Sequence, residues 1–216
     1  MWSSCIERVA PLAAAVRAAA AFALSLAALC GCAWPEEDLR RVSSAPTSAP
    51  LFDGRGAWTD EAGQAVSPDR YGAAGPLVVS AIYTRCTLRC PLTIDKLREL
   101  DASLRAEGVA ADFVLVTLDP DGDDAARLRD FKDVRNLPAA WHLLRGGATE
   151  TREFARRLGL RTIRDGGHID HDVAILVLAA RGRLAYICRG WDCGPQDLAR
   201  ALAASERHAI TSVDRR

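Results

Sequence analysis

Methionine and lysine are nearly absent from this chain of 216 residues, and its formal charges sum to zero. The one methionine is the initiator, so no other residue offers a thioether ligand for a soft metal ion. Lys96 and Lys132 are the two lysines. With Lys+Arg 28 against Asp+Glu 28, the sequence has no overall basic field that would neutralise phosphates. Nucleic-acid binding is therefore not expected.

The sequence also lacks internal repeats and the composition of a disordered chain. We find no self-similarity at periods of about 20–50 residues. A hydrophobic content of 49% is enough to offset the entropy lost on folding. The length accommodates one domain of roughly 150 residues plus a smaller segment, and a core of that size needs no disulfide staples. A small disulfide-framework protein is therefore disfavoured.

Cysteine is the unusual component. Six of the seven cysteines fall in three close pairs, Cys30/Cys32, Cys86/Cys90 and Cys188/Cys193. The first pair ends residues 1–32, a weakly basic segment with an apolar run of twelve residues, which is short for a bilayer span of about 20 residues. Its last four residues, Leu-Cys-Gly-Cys, resemble a bacterial lipobox in which Cys32 would be lipidated. A cleaved signal peptide and an uncleaved anchor are the alternatives, and every version exports the chain.

The next segment is a linker. Residues 33–50 contain three prolines, three serines and one threonine with little apolar content, which is typical of a flexible tether. We expect the folded domain to span residues 51–206 and a short tail to span residues 207–216.

The folded part alternates between strand and helix patterns. Strands are predicted at residues 76–84, 113–118, 141–144, 173–178 and 183–188, and helices from Pro91, from Asp123 to Val134, at 149–158 and at 195–205. The order β-α-β-α-β-α-β-β-α predicts an α/β fold, a thioredoxin-like three-layer sandwich with a mixed sheet. Residues 58–71 predict an N-terminal hairpin extension with a turn at Ala62-Gly63.

Cys86 and Cys90 follow the first core strand and precede a helix. Such a junction is where α/β sheets present ligands, and the helix dipole stabilises a thiolate there. We expect the neighbouring Arg85 and Arg89 to lower the pKa values of both thiols further. A spacing of four residues lets both sulfurs point the same way. The pair could therefore be redox-active, bind one soft metal ion, or form a buried structural disulfide.

The nine residues from Tyr83 to Pro91, YTRCTLRCP, resemble the C-x-x-x-C-P signature of the Sco (SenC) family. Its members are thioredoxin-fold, membrane-attached copper proteins that assemble the copper centre of cytochrome c oxidase. Segments 58–71, 117–123 and 170–182 resemble further family motifs in the same order and spacing, so that the resemblance covers about residues 51–205. It implies that Cys86, Cys90 and His171 are copper ligands. It also implies supporting roles near the site for Asp119 and Asp123.

The chemistry of this donor set agrees with the resemblance. Two thiolates and one imidazole suit Cu(I), and with a further ligand they can hold Cu(II). A structural zinc site normally has four ligands, whereas three convergent candidates are found here. His168 is the nearest competitor of His171, and Asp172 either tunes His171 or faces water. We expect His142 and His208 to be structural or solvated.

Cys188 and Cys193 have no counterpart in the family pattern. Because the domain is expected to be exported, we predict a local disulfide that closes a turn between them. The alternative is a second redox pair that exchanges with Cys86 and Cys90.

The resemblance implies a copper chaperone, and the predicted export segment places it in the cell envelope, anchored to the membrane by lipid and facing the periplasm or the outside. Its partner would be the copper-binding subunit of cytochrome c oxidase. The alternative is a thiol-disulfide oxidoreductase that keeps oxidase-subunit or other envelope cysteines reduced, with a thioredoxin-like reductant as a further partner. His171 favours copper, because thiol exchange needs no imidazole.

Overall fold

The computed structural model describes residues 51–52, 56–73, 75–165, 167–190, 192–200 and 202–203. The predicted export segment 1–32 with Cys32, the linker 33–50 and the tail 207–216 with His208 lie outside the described residues. Within the described ranges, no helix is both long enough and apolar enough to cross a membrane.

The described elements follow the predicted alternation of strands and helices. The strands are β1 Trp58–Asp60, β2 Ala65–Val66, β3 Leu77–Ile82, β4 Asp112–Thr117, β5 Trp141–Arg145, β6 Thr162–Asp165, β7 His168–His171, β8 Ala174–Ala179 and β9 Arg183–Arg189. The helices are α1 Arg89–Ala106, α2 Ala125–Val134, α3 Ala148–Leu158 and α4, residues 195–200. Among these residues, β1–β5, β8 and β9 form one sheet in the order β2-β1-β5-β4-β3-β8-β9, and β6 pairs with β7.

The sheet is mixed, as predicted. Strands β3, β4 and β5 are parallel, and β8 pairs antiparallel with β3 and with β9. All six residues of β3 and all six of β8 are buried. Continuous apolar runs of this kind form strands that are covered on both faces. The predicted α/β, thioredoxin-like fold class is confirmed.

The predicted N-terminal hairpin extends the sheet at the β5 edge. β1 pairs antiparallel with β2 and with β5, and the turn contains Gly63 at φ +81°. The ring of Phe52 packs against Trp58 at 5.3 Å and against Phe154 of α3 at 5.9 Å. These aromatic contacts attach the extension to the core.

The start of α1 differs from the prediction. The helix begins at Arg89, so Pro91 is its third residue and Cys90 lies in the first turn. Proline is tolerated there because the first N–H groups of a helix have no intrahelical partner. Leu92, in the same turn, is 49% exposed.

The β6–β7 hairpin is an element that the predicted order lacks. All four residues of β6 are exposed, and in β7 Ile169 and His171 are buried. Gly167, at φ +86°, precedes β7 and adopts a conformation that favours glycine. The candidate ligand His171 therefore lies on a two-stranded ribbon outside the main sheet.

Candidate metal centre

The two candidate thiol ligands lie where β3 passes into α1. Cys86 is 4% exposed and Cys90 is 1% exposed, and both are free thiols. The Cys86 N–H donates to the Tyr83 carbonyl at 3.1 Å, and the Cys90 N–H donates to Cys86 Sγ at 3.2 Å. The Cys90 thiol lies 3.7 Å from the same Tyr83 carbonyl. The turn thus brings both sulfurs to one place at the end of the strand.

The pKa values of the two thiols are shifted in opposite directions. The pKa of Cys86 is lowered to about 5, because the Cys90 thiol donates to its sulfur and the N–H groups of Cys90, Leu88 and Arg89 point at it. Burial opposes this lowering. The pKa of Cys90 is raised, first because its thiol donates to Cys86 and then because it is buried. At neutral pH Cys86 is a thiolate and Cys90 a thiol.

The neighbouring arginines act differently from the expectation. Neither is a main cause of the low Cys86 pKa, which comes from hydrogen bonds at the helix start. Arg85 instead donates to Asp119 at 2.6 Å. Arg89 donates from Nη1 to the His171 carbonyl at 2.7 Å and pairs through Nη2 with Asp170 at 3.0 Å. Their guanidinium groups therefore connect Asp119 and strand β7 to residues 83–90, which we call the dithiol turn.

His171 ends β7 and is 4% exposed. Its Nδ1 lies 2.8 Å from the Asp172 carbonyl, which can only accept, so Nδ1 carries the proton. Its Nε2 is buried and has no hydrogen-bond partner among the residues that the structure describes. A histidine whose Nδ1–H is held by a carbonyl presents the Nε2 lone pair, as metal-binding histidines do.

Tyr83 contacts both halves of the site. Its ring centroid lies 6.1 Å from that of His171, and its hydroxyl is 3.2 Å from His168 Nδ1. Burial is the main reason that the Tyr83 pKa is raised, and interaction with Cys86 adds to it. His168, the predicted competitor, is exposed and engaged by this phenol.

The three candidate ligands, Cys86, Cys90 and His171, lie near Tyr83, but they do not form a set of metal ligands. In the described part of the chain, no set of three or more His, Cys, Asp or Glu side chains is arranged so that it could hold a metal ion. The described residues therefore do not place the imidazole of His171 and the thiols of Cys86 and Cys90 together as a set of metal ligands.

Asp123 and Asp119 contact the segments that carry the site and do not contact the sulfurs. Asp123 is fully buried and accepts hydrogen bonds from the Thr84 N–H at 2.9 Å, from the Thr84 hydroxyl and from the Thr117 hydroxyl. It thereby fixes the chain two residues before Cys86. Asp119 binds Arg85, and its other oxygen lies 3.6 Å from Arg164 of β6.

The remaining sequence candidates lie outside this cluster. Cys188 and Cys193 form a disulfide with a Cα–Cα distance of 5.8 Å, as the local-disulfide prediction states. His142 is half-buried, and its ring lies 4.5 Å from that of Tyr71. Asp172 pairs with Arg161 at 2.9 Å.

Sequence reasoning missed Tyr83 as a site residue, although a tyrosine at the end of a buried strand must place its hydroxyl near a polar partner. It also missed the contact of Arg89 with His171, for which the sequence holds no local signal.

Comparison with known proteins gives one family and several solved structures. A model of the family described as SCO1/SenC matches residues 44–205. No curated protein matches the chain. The structure of Arabidopsis thaliana ScoI with copper bound has a TM-score of 0.63 at 17% identity, covering 74% of this chain and 98% of that one.

Two further structures are similarly close. An SCO1/SenC family lipoprotein from Bacillus anthracis has a TM-score of 0.62 at 18% identity, covering 68% of this chain and 90% of that one. BsSco, described as a member of the Sco family of cytochrome c oxidase assembly proteins and as having a disulfide switch, has a TM-score of 0.60 at 21% identity. That match covers 73% of this chain and 95% of BsSco. At these identities the likeness shows a shared fold.

Proposed function

The chain belongs to the SCO1/SenC family, and we propose that it is an exported copper chaperone. In this proposal Cys86, Cys90 and His171 bind copper, and the protein assists assembly of the copper centre of cytochrome c oxidase. Solved Sco structures with copper bound and the description of BsSco as an oxidase assembly protein support it. The partner is the copper-binding subunit of the oxidase.

The observation that carries the proposal is the buried, unpartnered Nε2 of His171. A buried polar atom without a partner costs about 1–3 kcal/mol. The Nδ1–H bond to the Asp172 carbonyl leaves the Nε2 lone pair as an acceptor. Coordination of a metal ion would satisfy this lone pair and recover that cost.

The thiols supply the soft part of the donor set. Cys86 is already a thiolate, whereas Cys90 must lose its proton before it can ligate. Copper binding therefore releases a proton from Cys90. Two thiolates with one imidazole favour Cu(I), which prefers soft ligands and low coordination numbers.

A second function, thiol-disulfide exchange, is favoured by the opposite pKa shifts of the same pair. The Cys86 thiolate would attack a partner disulfide, forming a mixed disulfide and releasing one partner thiolate. Cys90, on losing its proton, would then attack the sulfur of Cys86, closing the Cys86–Cys90 disulfide and releasing the second thiolate. A thioredoxin-like reductant would restore the dithiol.

Attachment to the membrane is part of the proposal. Residues 29–32 resemble a lipobox, and the similar Bacillus anthracis protein is described as a lipoprotein. Lipidation of Cys32 would hold the domain at the envelope membrane, facing the periplasm or the outside.

Titration of the reduced protein with Cu(I) against a competing chelator tests the site. We expect one equivalent to bind tightly, with Cys86→Ser and His171→Ala each weakening the affinity about tenfold or more. His142→Ala is the control, because His142 lies outside the cluster with its ring against Tyr71, and it should leave the affinity unchanged. Unaltered affinity in His171→Ala would contradict the assignment, and equal disulfide-reductase activity of that variant and wild type would favour thiol exchange.

A further inference from the structure

A cavity of about 330 Å³ lies beside the cysteine site. It is lined by Arg89, Asp172, Val173, Arg189 and Gly190. Arg89 belongs to the dithiol turn, whereas Arg189 and Gly190 belong to the segment closed by the Cys188–Cys193 disulfide. The disulfide therefore holds one wall of the cavity, and the segment that carries the candidate ligands forms another.

Two of the charges around this cavity are neutralised. Arg89 pairs with Asp170 at 3.0 Å, and Asp172 pairs with Arg161 at 2.9 Å. Each pair contributes no net charge to the cavity.

Arg189 is not neutralised in the same way. Its guanidinium group donates to the main-chain carbonyls of Leu158 at 3.4 Å and Gly159 at 3.2 Å. Among the described residues it has no carboxylate partner. Carbonyl oxygens carry no full charge, so the positive charge of Arg189, a residue that lines the cavity, is not cancelled. A guanidinium group with free N–H groups suits a carboxylate in both charge and shape.

Exposed apolar side chains flank Arg89, one of the residues that line the cavity. Leu88 is 69% exposed and Leu92 is 49% exposed. Leu88 directly precedes α1, and Arg89, the first residue of that helix, lies three residues before Leu92, so the three residues lie close together at the start of the helix. Large apolar side chains this exposed beside a polar cavity are typical of a contact surface for another protein.

We propose that this cavity receives a carboxylate side chain of a partner protein, while apolar residues of the same partner pack on Leu88 and Leu92. The free charge of Arg189 argues for an acidic side chain, and the two leucines argue for a protein surface over a free small carboxylate. Docking there would place the partner directly over the dithiol turn.

An NMR titration of the full-length, metal-free protein tests this surface. The probe is acetyl-Leu-Glu-Leu-amide, the matched neutral probe is acetyl-Leu-Gln-Leu-amide, and sodium acetate represents a free carboxylate. We expect saturable shifts of the Val173, Gly190 and Leu92 amides with the Glu peptide. Binding should be about tenfold weaker for the Gln peptide and for acetate.

Three variants test which side chains cause the expected binding and the preference for the Glu peptide. Arg189→Leu should bind both peptides equally, because the charge that distinguishes them is gone. Arg152→Leu removes the same charge from the exposed face of α3, where the guanidinium reaches Thr149, and should retain the preference. Leu92→Ser should weaken both peptides alike. Because Arg189 also bonds to carbonyls at the end of α3, Leu92→Ser keeps the test valid if Arg189→Leu fails to fold.

Equal affinity of the wild type for the two peptides, saturable shifts confined to another surface, or acetate binding as tightly as the Glu peptide would each overturn the proposal. We infer that this partner is the protein that exchanges copper, and this one step rests on the proposed function. The peptide titration uses no metal, so the two can fail separately. Loss of copper binding with intact peptide selectivity would refute the function alone, and the reverse result would refute the docking surface alone.

Discussion

Replacing Arg89 by alanine removes a direct connection between the dithiol turn and the strand that carries His171. Arg89 lies immediately before Cys90, and its guanidinium group reaches the His171 carbonyl at 2.7 Å and Asp170 at 3.0 Å. Without it, the β6–β7 hairpin loses an anchor next to the candidate imidazole ligand. The variant should therefore bind Cu(I) more weakly although no ligand has changed.

The size of the effect follows from the two contacts. The side chains of Arg89 and Asp170 are 42% and 50% exposed, so the ion pair contributes about 0–1 kcal/mol. The bond from a charged donor to the His171 carbonyl contributes about 1.5 kcal/mol, the low end for charged groups. A total of about 2 kcal/mol corresponds to about 30-fold in affinity.

Arg98→Ala is a matched control, because Arg98 also lies on α1 and also reaches one carbonyl, that of Arg135, and one carboxylate, that of Asp95. The assay is competition of each metal-free, reduced variant against a chromophoric Cu(I) chelator, with the melting temperature measured in parallel. We expect weaker Cu(I) binding in Arg89→Ala only, with similar melting temperatures and with the alkylation rate of Cys86 unchanged. Equal losses of affinity in both variants, or none in Arg89→Ala, would refute the positioning role.

Further predictions concern the surroundings of the site. The rate of alkylation of Cys86 in the reduced protein should have its pH midpoint near 5. Cys90→Ala should move this midpoint upward, since the hydrogen bond from the Cys90 thiol is the main cause of the low Cys86 pKa. An unchanged midpoint would contradict that cause. Because folding lowers the pKa of Cys86, its thiolate stabilises the reduced, folded protein above about pH 8.5, and this stabilisation is lost as the pH falls towards 5. Thermal melts across that pH range should show the loss as a falling melting temperature. Asp123→Asn should lower the free energy of unfolding in denaturant by about 3 kcal/mol, because it replaces a fully buried carboxylate that accepts three hydrogen bonds. The control Asp124→Asn should be nearly neutral, since asparagine caps the start of α2 as well as aspartate does. Cys193→Ser should cost about 2 kcal/mol in the same assay, the loop-closure value for so short a ring, and no loss would show that the disulfide adds nothing to stability.

The core was predictable because its strands are continuous apolar runs. The runs at β3, β4 and β8 can be satisfied only by burial on both faces, and the helix between β3 and β4 requires these two strands to pair in parallel. Strand β8, which follows the β6–β7 hairpin, instead pairs antiparallel with β3. The position of Cys86 at the end of β3 followed directly from this order. The structure confirms that part of the reasoning.

The β6–β7 hairpin was not predictable by the same reasoning. Its buried residues are Ile169 and His171, and its exposed residues include Arg164 and Asp170, so hydrophobic periodicity gives no usable signal over four-residue strands. The ribbon is attached by guanidinium contacts from Arg89 and from Arg164. Long side chains that reach across sequence separations of 46 to 82 residues leave no local pattern.

The two halves of the candidate centre are therefore held by different forces. The dithiol turn is fixed from the core, since the buried carboxylate of Asp123 binds Thr84 and the thiols of Cys86 and Cys90 are themselves buried. His171 instead lies on a ribbon whose first strand is exposed, and the ribbon is attached by polar contacts and by the buried Ile169, which hold less strongly than the packed sheet. The unsatisfied Nε2 lies on this weakly held half. The free-energy cost of this unpaired Nε2 is relieved most readily when the ribbon moves towards the metal ion, because moving the thiols would disrupt the core. We therefore expect metal binding to increase hydrogen-exchange protection in residues 162–171 much more than in β3, and equal gains in both would contradict this division of roles.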